Sequence, residues 1–398
     1  MRRSERSPNP VVHVPRGEGL GLSSCTVSFS LKSLERGWRK LWISLIATLL
    51  RLTGSKSPPD WRSRPHHVLF LRHDRIGDMI VSTGVLRAIA RSHPTIVLDV
   101  LASPGNAPVL RHADYVHQTV VFDKKRIGNY LGTMLRLRRT RYDAVIDCMV
   151  TAPSLTTLLL MLASGARHRV GIAGRGVDSV LTVPVPPRER DGHMVELLGQ
   201  LAVAFGVDPS RVDVRPHIGL SPDEIAQAER SWAHASAPDT PHARERLLVN
   251  VSSGTSARRW PEDRYIDVVR SALGIAPRLD VLVIGSPDER DRAERVAEAI
   301  GGRFVLTHGV RDAFALVATS TLVFTPDTSI GHATSAYGKP AVVMFVRGAA
   351  ARWAPYRTKC RVIEWSEPTL ERLPVAPVRA ALESLLHEVL TPTRSAAT

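Results

Sequence analysis

The feature that most narrows the fold is an alternation that runs through half of the chain and then restarts. From residue 66 the apolar runs "HVLFLR", "TIVLDVLA", "QTVVFD", "YDAVIDCM" and "RVGI" are separated by stretches of helical spacing at 78–92, 127–140 and 153–165. Strand, helix, strand repeated in this way predicts a parallel sheet covered on both faces. A helical stretch at 190–206 and the proline-bearing "PHIGLSPDE" at 216–224 close this half, with Ser221 placed to cap a helix. The series then resumes with "LLVNVS", a helix at 262–274, "DVLVIGS", a helix at 288–300, "FVLT" and a helix at 311–319. "LVFTPD", a turn and helix at 329–337, "AVVMF" and a helical stretch at 375–390 complete it. The expectation is an α/β protein of two Rossmann-like domains, 61–220 and 221–398, with a ligand cleft between them. A length of 398 residues suffices for two such cores.

Residues 1–60 stand outside this pattern. The first thirty or so carry Pro, Ser, Arg and Gly without periodicity and read as a flexible tail. In "LKSLERGWRKLWISLIATLLRL", Leu31, Leu34, Trp38, Leu41, Leu45, Leu49 and Leu52 recur at helical spacing, with Lys32, Arg36, Arg39, Lys40 and Arg51 mostly off that stripe. Such a basic amphipathic helix suits a membrane surface; it suits equally a helix packed on the protein's own core. "TGSKSPPDWRSRP" (53–65) reads as a linker.

Chemistry concentrates where strands end, the edge at which open α/β sheets bind ligands. After the first strand comes a polar knot, Arg72-His73-Asp74-Arg75-Ile76-Gly77-Asp78. Asp78 could act as a general base or simply complement the dipole of the helix it opens. In the second half, Ser252, Ser253, Gly254, Thr255 and Ser256 form a small polar loop followed by Arg258 and Arg259. Small residues let backbone N–H groups approach a phosphate, and arginine pairs it bidentately; no Walker sequence is present. Next, "IGSPDERDRAE" sets Asp288 or Glu289 in a first helical turn, placed for ribose hydroxyls or for the helix dipole alone. Last, "TPDTSIGHATSAYGKP" gathers Asp327, Thr328, Ser329, Gly331 and His332 at a strand end and helix start, where free N–H groups bind anions.

Other motifs carry less. "GIAGRGVDS" (171–179) matches a dinucleotide fingerprint only loosely and reads as a loop; His66, His67, His73, His112 and His117 lack metal-ligand spacing. Cys25, Cys148 and Cys360 are scattered, which fits a reducing cytoplasm rather than a disulfide framework. The longest apolar run, "LWISLIATLL", has about half the length needed to span a bilayer. Lys+Arg 53 against Asp+Glu 38 gives a formal charge of +15, so an acidic partner is plausible, as is a basic solvated surface.

Taken in order, "LRHDRIGDMIVSTGVLRAIARSHP", "SARRWPEDRY", "IGSPDERDRAERVA" and "TPDTSIGHATSAYGKPAVVMF" resemble the landmarks of glycosyltransferase family 9, the lipopolysaccharide heptosyltransferases and their relatives, over roughly residues 66 to 390. The resemblance implies a GT-B fold with the donor bound mainly by the C-terminal domain. It implies metal-independent, inverting transfer of heptose, with ADP-heptose as donor and no cofactor, to a lipid-linked saccharide. The family's catalytic aspartate falls on Asp78, its basic residue before Trp-Pro on Arg258, its ribose-binding acid on Asp288 with Glu289 possible, and its Asp-Thr-x-x-x-His signature on Asp327, Thr328 and His332. Ser253, Gly254, Thr255, Ser329 and Gly331 join the donor side, and Arg72, Asp74, Arg75 and Gly77 the acceptor side. Two positions depart from the family: Arg258 stands where lysine is usual, and Ser329 where glycine is frequent.

The expected partners are a nucleotide-sugar, an anionic lipid-linked saccharide and the inner face of a membrane, without nucleic acid, in a cytoplasmic protein held peripherally. Residues 1–60 add ten Lys/Arg against four Asp/Glu to that surface. Two alternatives are a sugar-nucleotide epimerase of similar architecture and a non-catalytic basic protein that binds membranes or nucleic acid. The scattered basic residues and the want of a nucleic-acid module weigh against the latter.

Overall fold

The computed structural model describes residues 11–14, 32–55, 60–150, 154–174, 178–188, 192–234 and 245–390, with the backbone alone for 32–40. The chain divides into two compact units, Glu18–Val214 and Met1–Gly17 with Arg215–Thr398. The division thus falls a little before the expected boundary at 220/221, and the start of the chain belongs to the second unit.

In chain order, β1 (Val11–Val14) and α1 (Lys32–Leu52) precede the first alternation. That comprises β2 (His66–Arg72), α2 (Ile76–Ala90), β3 (Ile96–Ala102), β4 (Gln118–Val121), α3 (Ile127–Thr140), β5 (Ala144–Asp147), α4 (Leu155–Ser164), β6 (His168–Ile172), β7 (Val183–Val185) and α5 (Met194–Gly199). The helical stretch expected at 190–206 is split, α5 passing into a 3-10 helix at Gln200–Phe205. The strands form one parallel sheet ordered β4-β3-β2-β5-β6-β7. Each central strand is buried on both faces, which is why these runs read as continuously apolar rather than alternating.

The second unit opens with α6 (Pro222–Ala233), whose Ser221 forms a capping box with Glu224. It continues through β8 (Arg246–Asn250), α7 (Glu262–Ile275), β9 (Asp280–Gly285), α8 (Arg290–Ile300), β10 (Arg303–Leu306), α9 (Val310–Thr319), β11 (Leu322–Pro326), α10 (Ser329–Tyr337), β12 (Ala341–Phe345), α11 (Ala350–Trp353), β13 (Cys360–Trp365) and α12 (Val375–Leu390). Its sheet is ordered β1-β13-β12-β11-β8-β9-β10, again parallel throughout. Residues 11–14 are therefore not part of a flexible tail, as their sequence suggested. Val11 to Val14 pair with Val362 to Trp365 and satisfy the backbone groups along an otherwise open edge.

Of the two readings of the helix at 31–52, packing on the protein's own core holds for α1, which is built into the first unit. Ile46, Ala47 and Leu50 share a core with Leu69 and Leu71 of β2, Leu137 of α3 and Leu158 of α4. At its end the buried Arg169 guanidinium donates to the carbonyl of Leu50 at 2.8 Å and to that of Val180 at 2.6 Å, closing the helix terminus. Gly54 follows because a Cβ there would overlap that guanidinium. The stripe read from the sequence, Leu41, Leu45, Leu49 and Leu52, instead faces outward.

Both sheets reverse direction at the strand with which their alternation begins. In the first, β3 and β4 lie on one side of β2 and β5 on the other; in the second, β9 and β10 lie on one side of β8 and β11 on the other. The carboxyl ends of β2/β5 and of β8/β11 are thus topological switch points, where loops leave in opposite directions and open a crevice.

Candidate functional site

In the second unit the switch point is closed by side chains from both of its strands. Asn250 ends β8, and its buried amide donates to Thr325 Oγ1 at 3.0 Å and Thr328 Oγ1 at 3.2 Å, while its carbonyl oxygen accepts from Ser252 N and Oγ. This ties the loop after β8 to the β11–α10 turn. Thr328 also caps α10, accepting from Ile330 N at 3.3 Å, and leaves the Ser329 and Gly331 amides in the first turn of a nine-residue helix. Arg258 reaches the same spot from the other side. Its Nη2 lies 2.9 Å from Asp327 Oδ2, and its Nη1 donates to the Asp327 carbonyl at 3.0 Å. Asp327 is buried, whereas Arg258 keeps about a quarter of its side chain open. A guanidinium has five N–H donors, so the pair orients a positive group at a helix N-terminus without consuming it. His332 is buried one turn further on, edge-on to Trp353 at 5.9 Å.

The loop itself is held from β9. Glu289 is buried and accepts from Ser253 N at 3.0 Å and Arg259 Nε at 2.9 Å, with Arg292 Nη1 at 3.6 Å. Arg292, also buried, donates to the carbonyls of Val251 and Trp260. Of the two acids singled out in the sequence, Glu289 is therefore engaged within the protein and Asp288 is exposed. Gly254 and Thr255 are exposed at the tip, where a Cβ on Gly254 would meet nothing.

In the first unit the polar knot after β2 is organised around Arg72. The buried guanidinium donates from Nε to the Asp78 carbonyl at 2.9 Å and from Nη1 to Asp74 Oδ2 at 3.1 Å. Its Nη2 makes no hydrogen bond and lies 3.8 Å from Asp78 Oδ1. Asp78 sits in the first turn of α2 with its carboxylate partly open to solvent. Asn106 braces the loop from beneath, donating to the carbonyl of Arg72 at 3.0 Å and those of Asp74 and Arg75 at 3.5 Å. Burial pushes the Asp74 carboxyl above the usual range, against the pull of Arg72, and pushes the His73 imidazole down, towards its neutral form. Gly77, Arg75 and Asp78 thus stand on one loop and helix start, beside Asp147 and Cys148 at the end of β5. Burial keeps the Cys148 thiol protonated, donating to the Leu71 carbonyl at 2.7 Å.

The donor-side residues named from the sequence all come from the second unit, and Asp78 with its acceptor-side neighbours from the first. Sequence reading missed Asn250, Arg292 and Asn106. A polar residue closing the apolar run "LLVN" was a signal for the first; the other two act through backbone carbonyls and leave no pattern. Among the described residues, no group of three or more His, Cys, Asp or Glu is placed to hold a metal ion.

Comparison with known proteins bears on this arrangement. Residues 133–375 match the family model described as "Glycosyltransferase family 9 (heptosyltransferase)". Lipopolysaccharide heptosyltransferase 2 of Salmonella typhimurium is 21% identical over 317 residues, covering 74% of this chain and 87% of the relative. Among solved structures, a family 9 glycosyl transferase from Veillonella parvula superposes with a TM-score of 0.70 at 17% identity, covering 84% of this chain and all of that one. The E. coli heptosyltransferase WaaC with ADP superposes with a TM-score of 0.63 at 17% identity, over 80% and 99%. The fold common to these structures is GT-B, two Rossmann-like domains.

Proposed function

Because this chain belongs to glycosyltransferase family 9 and is a glycosyltransferase, we propose that it transfers a heptose, with inversion, from ADP-heptose to the saccharide of a lipid-linked acceptor of the lipopolysaccharide type. An acceptor hydroxyl oxygen attacks the anomeric carbon as the bond from that carbon to the diphosphate oxygen breaks. The hydroxyl proton goes to the Asp78 carboxylate and ADP leaves. Asp78 suits the part because its carboxylate, partly open to solvent, lies 3.8 Å from Arg72 Nη2, which makes no hydrogen bond, a geometry in which an incoming hydroxyl can reach it.

The observation that carries the reading is the switch point of the second unit. There Arg258, fixed by Asp327, meets the N-terminus of α10 and the polar loop 252–255. A fixed guanidinium and a helix dipole aimed at a departing diphosphate stabilise the charge that develops as the sugar leaves, which supports a reaction without a metal ion. Asp288, exposed in the turn that follows β9, is the carboxylate that would accept from the ribose hydroxyls. The acceptor's own phosphates suit the exposed basic side chain of Arg75, while buried Arg72 holds the loop that carries it.

Calorimetry of ADP-heptose, ADP, UDP and GDP with wild type and Asp78→Asn tests this. The expected outcome is binding of the adenine species alone, at equal affinity in both proteins, and turnover lower by about 10²–10⁴-fold in the variant. Preference for UDP or GDP species would remove heptose transfer. Undiminished turnover in Asp78→Asn would remove the general base.

A further inference from the structure

Two features of the first unit lie away from its switch point. One is an uncovered apolar face. On α1, Leu41, Trp42, Leu45, Leu49 and Leu52 are exposed, from 44% at Leu49 to 80% at Leu52, and on α3 so are Ile127, Leu131 and Leu135. The two helices share one core with α4, none of whose residues is exposed, so all three cover the same side of the sheet. The other is a hollow of 1060 Å³ at the opposite end of the strands from Asp78. It is lined by Arg64, Arg138, Arg139, Arg141 and Arg167 and by the starts of β2, β5 and β6.

The charge of the hollow is unbalanced. Two carboxylates line it, and Asp143 is already taken by Arg64 at 2.5 Å. The carboxyl ends of α3 and α4 contribute about one further negative charge, which leaves the five guanidiniums in excess. Arg138, Arg139, Arg141 and Arg167 make no ion pair among the described residues, and residues 124–142 contain no acidic side chain. Arg141 holds a left-handed conformation (φ 56°), one that non-glycine residues adopt at a cost. The buried His66 also lines the hollow with its Nδ1 unbonded. The hollow and the apolar face share their elements: Arg138 and Arg139 belong to α3, and Ser55 lies three residues beyond the end of α1.

We propose that this surface is the protein's bilayer-docking face: the exposed side chains of α1 and α3 enter the head-group region of an anionic membrane, and the arginine hollow receives the phosphate of a lipid. A soluble polyphosphate would use the arginines and leave the leucines without a role. A bilayer uses both, since apolar insertion and attraction to anionic head groups add, and Trp42 is of the type that prefers the membrane interface. Among the described residues no helix is long and apolar enough to cross a membrane, so the contact is superficial. The inference deepens the reading of a lipid-linked acceptor and rests on it for its purpose.

The test is flotation of the full chain with vesicles of phosphatidylcholine alone, and with phosphatidylglycerol mixed in at roughly one part in four. Binding to the anionic vesicles, released by salt, is expected. Leu45→Gln with Leu49→Gln weakens it on the order of a hundredfold, and Arg139→Gln with Arg167→Gln about twenty-fold. Both pairs keep wild-type turnover on detergent-dispersed acceptor; loss of turnover in the wild type while flotation holds would count against the transferase reading alone. Failure to float, or flotation indifferent to both pairs, overturns the docking face. So does pyrophosphate binding abolished by the arginine pair without flotation, which assigns the hollow to a soluble anion. A dimer abolished by the leucine pair without flotation assigns the apolar face to a second copy.

Discussion

At Arg258 a single side chain meets two demands, and its identity decides how well each is met. One N–H bonds the Asp327 carboxylate and another the Asp327 carbonyl, leaving further donors for a ligand. Lysine would supply one compact charge with no fork, so it could hold Asp327 or a phosphate but would not template both. Arg258→Ala is expected to lower kcat by about 10²–10³-fold, the scale of losing one preorganised donor, and Arg258→Lys to fall between. Single-turnover kinetics at saturating donor checks this, because weaker binding alone would leave that rate intact. Asp288 and Glu289 divide just as sharply. Asp288→Asn should weaken ADP binding by about ten- to a hundred-fold, a charged hydrogen bond's worth, with an unchanged urea midpoint. Glu289→Gln should instead cost about 3 kcal/mol of stability, because Arg292 is buried beside it. The sequence showed two neighbouring acids at a helix start. Which one points inward depends on Arg259 and Arg292, and that information is three-dimensional.

At the scale of elements, the central strands and their helices were legible because each is long, apolar and buried on both faces. The helix α3 spans the residues its spacing predicts, and so does α10. What escaped lies at the edge of a sheet. The run "CRVIEW" of β13 carries two charged residues within six, and "VVHV" of β1 is four residues long among prolines and glycines. Each run is mostly apolar but short or broken by charge, so neither announces a strand in isolation; β1 is one because β13 lies beside it, and β13 is held between β1 and β12. The site shows the same division. Its candidate residues fall on strand ends that the sequence marks, while the braces beneath them, Asn106 and Asn250, are single amides that reach Arg72 and Thr325, far away in sequence. Asn106→Ala would take the amide donor from the Arg72 carbonyl and the acceptor from Ser103 N, while the carbonyls of Asp74 and Arg75 keep Ser103 Oγ and Met79 N. The expected cost is about 1–3 kcal/mol, together with reduced turnover, because Asp78 is displaced with the loop. Chemical denaturation and steady-state rates on the same sample separate the two effects. Helix α1 adds a further lesson. It is apolar on more than one side, so periodicity found its stripe and could not say which way the stripe faced.

The whole molecule is discontinuous. The second unit is made from both ends of the chain and the first from a single interior stretch, so the backbone passes between units once near residue 17 and again near 214. Removing residues 1–17 should spare the first unit, bare the β13 edge and raise self-association through it, which light scattering set against thermal melts would register. The pairing of β1 with β13 also has a place in time. Val14 stands opposite Trp365, and at roughly 5–20 residues per second a ribosome needs about 20–70 s to travel from one to the other. Throughout that interval β1 lacks the strand it pairs with, and within it the whole of the first unit is synthesised and can fold. Strand β1 is thus among the last to find its place, and the sheet of the second unit closes on that edge only once β13 has been made.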